Sequence, residues 1–216
     1  MRVTDYAEVA RTETDRGDVV LRRRTTASAA DVLELRANGA LVADSLESSG
    51  ETELAARALD ATADPRRVVI GGLGLGHTLQ RVLADTRVET ATVVEIEDTL
   101  IGWMRDGTVP HGPALLADQR VTIINADIEM AIAEARSTYD LVLLRTDSGS
   151  HIPAGCAQIL SPGGVLAVWS TDPAPELLAG MRAVFGAAEE QVHDVPLQER
   201  PERHYLYLAQ GVASTA

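Results

Sequence analysis

Short apolar runs that alternate with stretches of helical spacing dominate the chain from residue 66 onward. A short apolar run bounded by polar residues is typical of a strand buried on both faces. Helical stretches of about ten residues separate such runs, which predicts an α/β fold with a parallel sheet covered by helices on both faces. The predicted strands are residues 67–70, 90–96, 121–124, 140–144 and 164–169.

The carboxyl-terminal part ends this alternation. After a helix predicted over 175–185, two strands near 191–195 and 204–209 are joined by a polar turn at 198–203. Strands joined by so short a connection run antiparallel. We therefore expect an antiparallel pair at one side of the sheet, and a frayed tail over 213–216.

Residues 1–50 contain short β-like runs without helical stretches between them. This pattern predicts a small antiparallel β region that precedes the larger unit of residues 51–212. The dipeptide Asn38-Gly39 lies between two β-like runs, and it is a strong hairpin signal. A helix is expected over 52–61, where apolar residues recur at helical spacing. The small sheet has about three predicted strands, at residues 18–22, 32–36 and 40–42.

Composition excludes several classes of protein. All 19 basic side chains are arginine, so a phosphate-binding loop with a lysine and Schiff-base chemistry are both absent. The formal charge of −13 makes nucleic acid an unfavourable partner. The single cysteine, Cys156, and the scattered histidines predict no metal site. Apolar runs are too short to cross a membrane, and the first residues do not resemble a signal peptide, so a cytoplasmic protein is expected.

A glycine-rich segment and two acids mark three successive strand ends. Gly72, Gly74 and Gly76 follow the first core strand and open a helix, where a ligand can approach the backbone. Glu95 ends the second core strand, and a carboxylate there can accept hydrogen bonds from both ribose hydroxyls. Asp127 ends the third strand. The alternative is that both acids only cap the helices that follow.

The order VVIGGLGLGHT, VVEIE, NAD and YDLVLL resembles the class I S-adenosylmethionine-dependent methyltransferases. With the amino-terminal β region, GDVVLRRR and VLELRANGALVADS, it resembles more narrowly the spermidine synthase (aminopropyltransferase) branch. The resemblance implies a Rossmann-like seven-stranded sheet, and adenosyl binding by Gly72, Gly74 and Gly76. It also implies ribose binding by Glu95, adenine binding by Asp127, and a homodimer.

Two positions depart from the family pattern. Spermidine synthases carry an Asp in the glycine loop that holds the donor amine, and Gly74 stands there in this chain. They also carry an acidic run after the fourth core strand, and its first acid is replaced by Arg145. A guanidinium can grip a carboxylate, which S-adenosylmethionine has and its decarboxylated form lacks. The sequence therefore predicts S-adenosylmethionine as donor, with Arg145 among the residues that bind it.

Three functions follow from the resemblance. The first is methyl transfer from S-adenosylmethionine to a small molecule, with Asp147 and His151 as candidate catalytic bases after the fourth core strand. The second is a polyamine aminopropyltransferase that uses decarboxylated S-adenosylmethionine. The third is a homologue that transfers nothing, and that binds a nucleoside or uses the pocket for another reaction.

Overall fold

The computed structural model describes the chain in five ranges, which are residues 5–26, 29–46, 48–145, 152–197 and 200–211. They form an α/β structure with two sheets. The smaller sheet contains β1 (Asp5–Thr14), β2 (Gly17–Thr26), β3 (Ala29–Ala37) and β4 (Ala40–Asp44). The larger sheet contains β5 (Arg67–Gly71), β6 (Thr90–Glu95), β7 (Val121–Asn125), β8 (Tyr139–Arg145), β9 (Leu160–Ser170), β10 (Glu189–Leu197) and β11 (Arg200–Gln210).

The larger sheet confirms the predicted topology. Its strand order is β10-β11-β9-β8-β5-β6-β7. The five strands from β7 to β9 are parallel, whereas β11 is antiparallel to both β9 and β10. The predicted turn at 198–203 is too long, because the pairing of β10 with β11 continues to Leu197 and Arg200.

Helices cover both faces of this sheet. Along β8, Leu141 and Leu143 pack into one apolar core and Val142 and Leu144 into the other, as the two-residue period of a strand requires. One core is completed by the first four helices and the other by the last three. The helices are α1 (Ser49–Ala61), α2 (His77–Leu83), α3 (Asp98–Asp106), α4 (Gly112–Leu116), α5 (Ile128–Glu134), α6 (Ile152–Ile159) and α7 (Pro175–Phe185).

The smaller sheet is a meander of four antiparallel strands, one more than the sequence patterns locate. The additional strand, β1, has mostly exposed side chains, so no apolar run marks it. The predicted hairpin is present, with Asn38 and Gly39 both at positive φ between β3 and β4. Two residues at positive φ match the twist of the flanking strands.

One apolar core joins the two sheets. Val19, Leu35 and Ala43 of the smaller sheet pack in the same cluster as Leu54 of α1 and Ile70 of β5. The predicted boundary after residue 50 therefore separates the sheets but not their cores. Within the described ranges, no helix is long and apolar enough to span a membrane.

Candidate functional site

Two adjoining cavities open at the carboxyl ends of the central parallel strands. The outer cavity has a volume of about 500 Å³ and lies against the ends of β5, β6, β7 and β8. The inner cavity has a volume of about 150 Å³ and extends from there toward α1 and the smaller sheet. Residues common to both walls are Val42, Gly71, Gly72, Glu95, Leu144 and Arg145.

The glycine loop forms the floor between β5 and α2. The loop glycines have positive φ values, which residues other than glycine rarely adopt. These values are 93° for Gly72, 52° for Gly74 and 85° for Gly76. A Cβ atom on Gly72 would meet nothing within 4 Å, so open space lies above this backbone. A Cβ on Gly76 would instead lie 2.6 Å from Leu115, and Gly76 lines neither cavity. Gly72 and Gly74 therefore face the space for a ligand, whereas Gly76 packs against α4.

Glu95 ties the loop to the end of β6. Its carboxylate accepts a 2.7 Å hydrogen bond from the Leu73 amide and a 2.8 Å hydrogen bond from the Glu97 amide. Burial raises the pKa of Glu95, and the Glu97 and Leu73 amides partly offset that rise. A carboxylate has about four acceptor sites, so two remain for hydroxyl groups of a ligand. Glu95 therefore holds the loop in place and keeps capacity for a ribose.

Asp127 caps α5, as the alternative interpretation expects. Its Oδ1 accepts hydrogen bonds from the amides of Glu129 at 2.8 Å and Met130 at 3.3 Å. The same side chain also lines the outer cavity. The capping bonds use one oxygen, which leaves the other available to a ligand in that cavity.

The inner cavity has a wall of apolar side chains that also carries a few charged ones. Among the former are Val19 and Leu35 from the smaller sheet and Leu54 from α1. The Arg145 guanidinium, at the end of β8, donates a hydrogen bond to the Val42 carbonyl and faces both cavities. Charged side chains on the wall are Glu51, Glu95, Glu97 and Arg145.

Glu51, in the first turn of α1, contributes a carboxylate that the sequence did not indicate. Its Oε2 atom is buried and has no hydrogen-bond partner in the described structure. Its Oε1 atom lies 3.5 Å from the position that a Cβ on Gly74 would occupy. Burial raises the pKa of Glu51 to about 7, an effect that Asp44 strengthens and Arg145 opposes.

Two arginines hold the smaller sheet against this edge. Arg16, in the turn between β1 and β2, forms a two-bond ion pair with Glu97 at 2.7 and 3.0 Å. Arg145 makes the second connection through the Val42 carbonyl of β4. The inner cavity therefore exists only where the two sheets meet.

Nothing in the structure tests the two predicted catalytic residues. Asp147 and His151 lie outside the described residues, so their catalytic roles stay predictions. His77, which follows the loop, stacks on His111 with ring centroids 6.0 Å apart, and burial lowers its pKa. In the described ranges no group of three His, Cys, Asp or Glu side chains is placed to hold a metal ion.

Comparisons with known proteins agree with the resemblance read from the motifs. A polyamine aminopropyltransferase of Desulforudis audaxviator is 35% identical over 81 residues, which are 38% of this chain and 29% of that protein. Putrescine N-methyltransferase 3 of Nicotiana tabacum is 28% identical over 138 residues, which are 56% of this chain and 36% of that protein. The chain thus spans about a third of the length of these curated relatives. No protein-family model matches it.

Solved structures extend the comparison to nearly the whole chain. The spermidine synthase of Thermotoga maritima superposes with a TM-score of 0.80 at 17% identity, covering 94% of this chain and 72% of that one. At this identity the match establishes the fold. The chain has its homologues among polyamine aminopropyltransferases and its structural neighbours among spermidine synthases, within the S-adenosylmethionine-dependent methyltransferase-like superfamily.

Proposed function

We propose that the protein is an aminopropyltransferase that binds decarboxylated S-adenosylmethionine and acts on a small polyamine. The adjoining position of the two cavities, which share six wall residues, supports this function more than any other observation. The outer cavity offers Glu95 and Asp127 to an adenosine, and the inner cavity offers a narrow, mostly apolar space to a short aliphatic tail. The names of the relatives favour aminopropyl transfer over the methyl transfer predicted first.

The shape of the glycine loop fits the adenosyl group. Open space above Gly72 allows a ligand to approach the backbone, and side chains of the outer cavity match the polar groups of a nucleoside. Glu95 is proposed to accept the ribose hydroxyls, and Asp127 to accept the adenine amino group through its uncapped oxygen.

Charge supports a cationic donor. Glu97 is neutralised by Arg16, so the groups that decide the charge of the inner wall are Glu51, Glu95 and Arg145. Once Glu51 has lost its proton, two carboxylates against one guanidinium favour a tail that carries an ammonium and no carboxylate. The sequence predicted S-adenosylmethionine as donor because that prediction considered the charge of Arg145 but not that of Glu51.

The residues of the chain position the reactants and keep out water. When bound, the donor supplies a carbon next to a sulfonium, and attack there by an amine nitrogen breaks the carbon–sulfur bond and leaves a neutral thioether. Apolar side chains of the inner wall, such as Leu54, exclude water from the tail. In-line positioning supplies most of the acceleration in such a transfer, and a base removes the proton of the amine. Asp147 and His151 remain the candidate bases.

Methyl transfer to an amine is the second candidate. Putrescine N-methyltransferases are among the relatives, and Arg145 at the cavity wall could hold the carboxylate of an intact S-adenosylmethionine tail. Arg145→Gln separates the two candidates, because it should weaken the intact donor about tenfold and leave the decarboxylated donor unweakened. Calorimetric titration of both donors measures the difference.

Product analysis tests the proposed function directly. The protein is incubated with putrescine and either donor, and the products are identified by mass spectrometry. Aminopropyl transfer yields 5′-methylthioadenosine and an amine lengthened by three carbons, whereas methyl transfer yields S-adenosylhomocysteine. Binding of the donor without either product would instead support the non-transferring homologue. A homodimer and a cytoplasmic location also stay predictions.

A further inference from the structure

A buried carboxylate oxygen without a hydrogen-bond partner lies in the wall of the inner cavity. Glu51 Oε2 is shielded from solvent and accepts no hydrogen bond within the described structure. An acceptor in this state costs free energy, because it has lost its water without gaining a donor. This unpaired acceptor lies on a cavity wall that is otherwise mostly apolar.

The position of Glu51 connects it to the adenosyl crevice. Its Oε1 atom is 3.5 Å from where a Cβ on Gly74 would be, and Gly72, two residues before that glycine, belongs to both cavities. A tail that leaves a nucleoside in the outer cavity and passes Gly72 therefore reaches the Glu51 carboxylate. Its methylene groups would lie against Val19, Leu35 and Leu54.

We propose that Glu51 is the residue that binds the ammonium group at the end of the donor's aliphatic tail. This inference rests on the proposed function, since it assumes an adenosyl donor in the outer cavity. Such an ammonium would give Glu51 the hydrogen-bond donors it lacks, and Glu51 would supply the charge that the ammonium needs once it leaves water. The acid that binds the donor ammonium therefore comes from α1. Because Gly74 has no side chain, it leaves room for that acid.

The charged groups around Glu51 agree with this role. Arg145 of β8 opposes the rise in its pKa, and Asp44 of β4 adds to that rise. Asp44 is itself buried beside Arg24, at 3.9 Å. Glu95 and Glu97 of the β6 end complete the charged set on the wall. Arg145 donates to the Val42 carbonyl and makes no hydrogen bond to Oε2 in the described part of the chain, so a ligand cation would give this atom the partner it lacks.

The experiment removes the carboxylate and the ammonium separately. Calorimetry measures the binding of decarboxylated S-adenosylmethionine, which has the ammonium, and of 5′-methylthioadenosine, which lacks it. In Glu51→Gln we expect the first affinity to fall about 10- to 100-fold and the second to stay unchanged. Glu53→Gln, on the same helix but in an exposed pair with Arg57, is the matched control and should change neither.

Moving the acid provides a second test. Gly74 has a φ of 52°, a conformation that aspartate tolerates better than most residues. The double variant Glu51→Gln/Gly74→Asp therefore should regain affinity for the decarboxylated donor relative to Glu51→Gln. Thermal melting of each variant confirms that it is folded.

Each outcome decides something different. If Glu51→Gln leaves the affinity for the decarboxylated donor unchanged, or weakens both ligands equally in a folded protein, the role of Glu51 is wrong and the proposed function stands. If the unaltered protein binds neither ligand, the proposed function fails and this inference fails with it.

Discussion

The two cavities are built in different ways. The wall of the outer cavity comes from consecutive strand ends, and its acids are held by backbone amides. Glu95 holds the loop through Leu73, and Asp127 caps α5. The wall of the inner cavity comes from α1, β8 and the smaller sheet, which are distant in the chain. Its distinctive acid, Glu51, has an oxygen without a partner.

This difference separates two kinds of site. The acids of the outer cavity are held in place whether or not a ligand is bound, because the fold itself uses them. The acid of the inner cavity gains its partner only from a ligand. We therefore expect substitutions in the outer wall to affect every adenosyl compound and substitutions in the inner wall to affect only those with a charged tail.

The largest effect is expected from Glu95→Gln. The amide loses the charge and presents a donor toward the backbone amides of Leu73 or Glu97, so both the loop and the ribose contacts suffer. Two hydrogen bonds to a charged acceptor are involved, so we expect at least about a 100-fold loss for 5′-methylthioadenosine and for donors alike. Calorimetry measures it, with exposed Glu134→Gln as control. If affinity fell only for donors with a charged tail, the expected difference between the outer and inner walls would be wrong.

The second-largest effect is expected in the pH dependence of donor affinity, which comes from Glu51 in the inner wall. Because burial raises the pKa of Glu51 to about 7, the free protein must lose a proton from Glu51 before an ammonium binds well. Affinity for the decarboxylated donor should rise roughly tenfold from pH 6 to pH 8. Affinity for 5′-methylthioadenosine should stay level, and Glu51→Gln should remove the slope. An equal slope for both ligands would place the titration elsewhere.

Glu51 also makes the stability of the fold depend on pH. A higher pH favours donor binding but destabilises the fold. A folded-state pKa above the unfolded value stabilises the fold below about pH 4.5, and that stabilisation is lost as pH rises through about 7. Glu51→Gln should therefore melt higher than the unaltered protein at pH 8, by an amount worth about 3 kcal/mol, and lose most of this advantage at pH 5. Thermal melting at both pH values checks the sign.

A smaller effect is expected from Asp127→Ala. It removes the cap of α5, which is worth about 1 kcal/mol, or roughly 2–4 °C in melting temperature for a chain of this size. Asp127→Asn should keep the cap and so keep the melting temperature. Comparing the affinities of the two variants for 5′-methylthioadenosine then separates capping from ligand binding.

The smallest effect is expected from Arg16→Gln. Its ion pair with Glu97 is half exposed on the arginine side, and such pairs contribute about 0.2–1 kcal/mol. Melting should fall by no more than a few degrees. A much larger fall would mean that the smaller sheet depends on this one contact rather than on the apolar core.

The sequence predicted best what depends on local pattern. Buried strands such as β5 and β8 show continuous apolar runs, and the glycines and acids at their ends follow from chain order alone. Strand β1 was missed because its side chains are mostly exposed, so no hydrophobic pattern forms. The short helix α4 was missed because five residues carry too little periodicity.

The inner wall could not be predicted from chain order. Glu51 lies 23 residues before Gly74, in a helix whose acids Glu51 and Glu53 look alike in sequence. Only the packing of α1 on the core decides that one faces a cavity and the other pairs with Arg57 at the surface. The prediction of the donor from Gly74 and Arg145 alone was incomplete for this reason.

The core shared by the two sheets has a consequence for how the protein changes over evolution. Val19 and Leu35 belong to that core and also shape the inner cavity. Variation in the smaller sheet can therefore alter which tail is accepted while the nucleoside-facing strand ends stay constant. Each such change also carries a cost in folding, so new specificities in this scaffold should arise together with compensating repacking beneath the sheet.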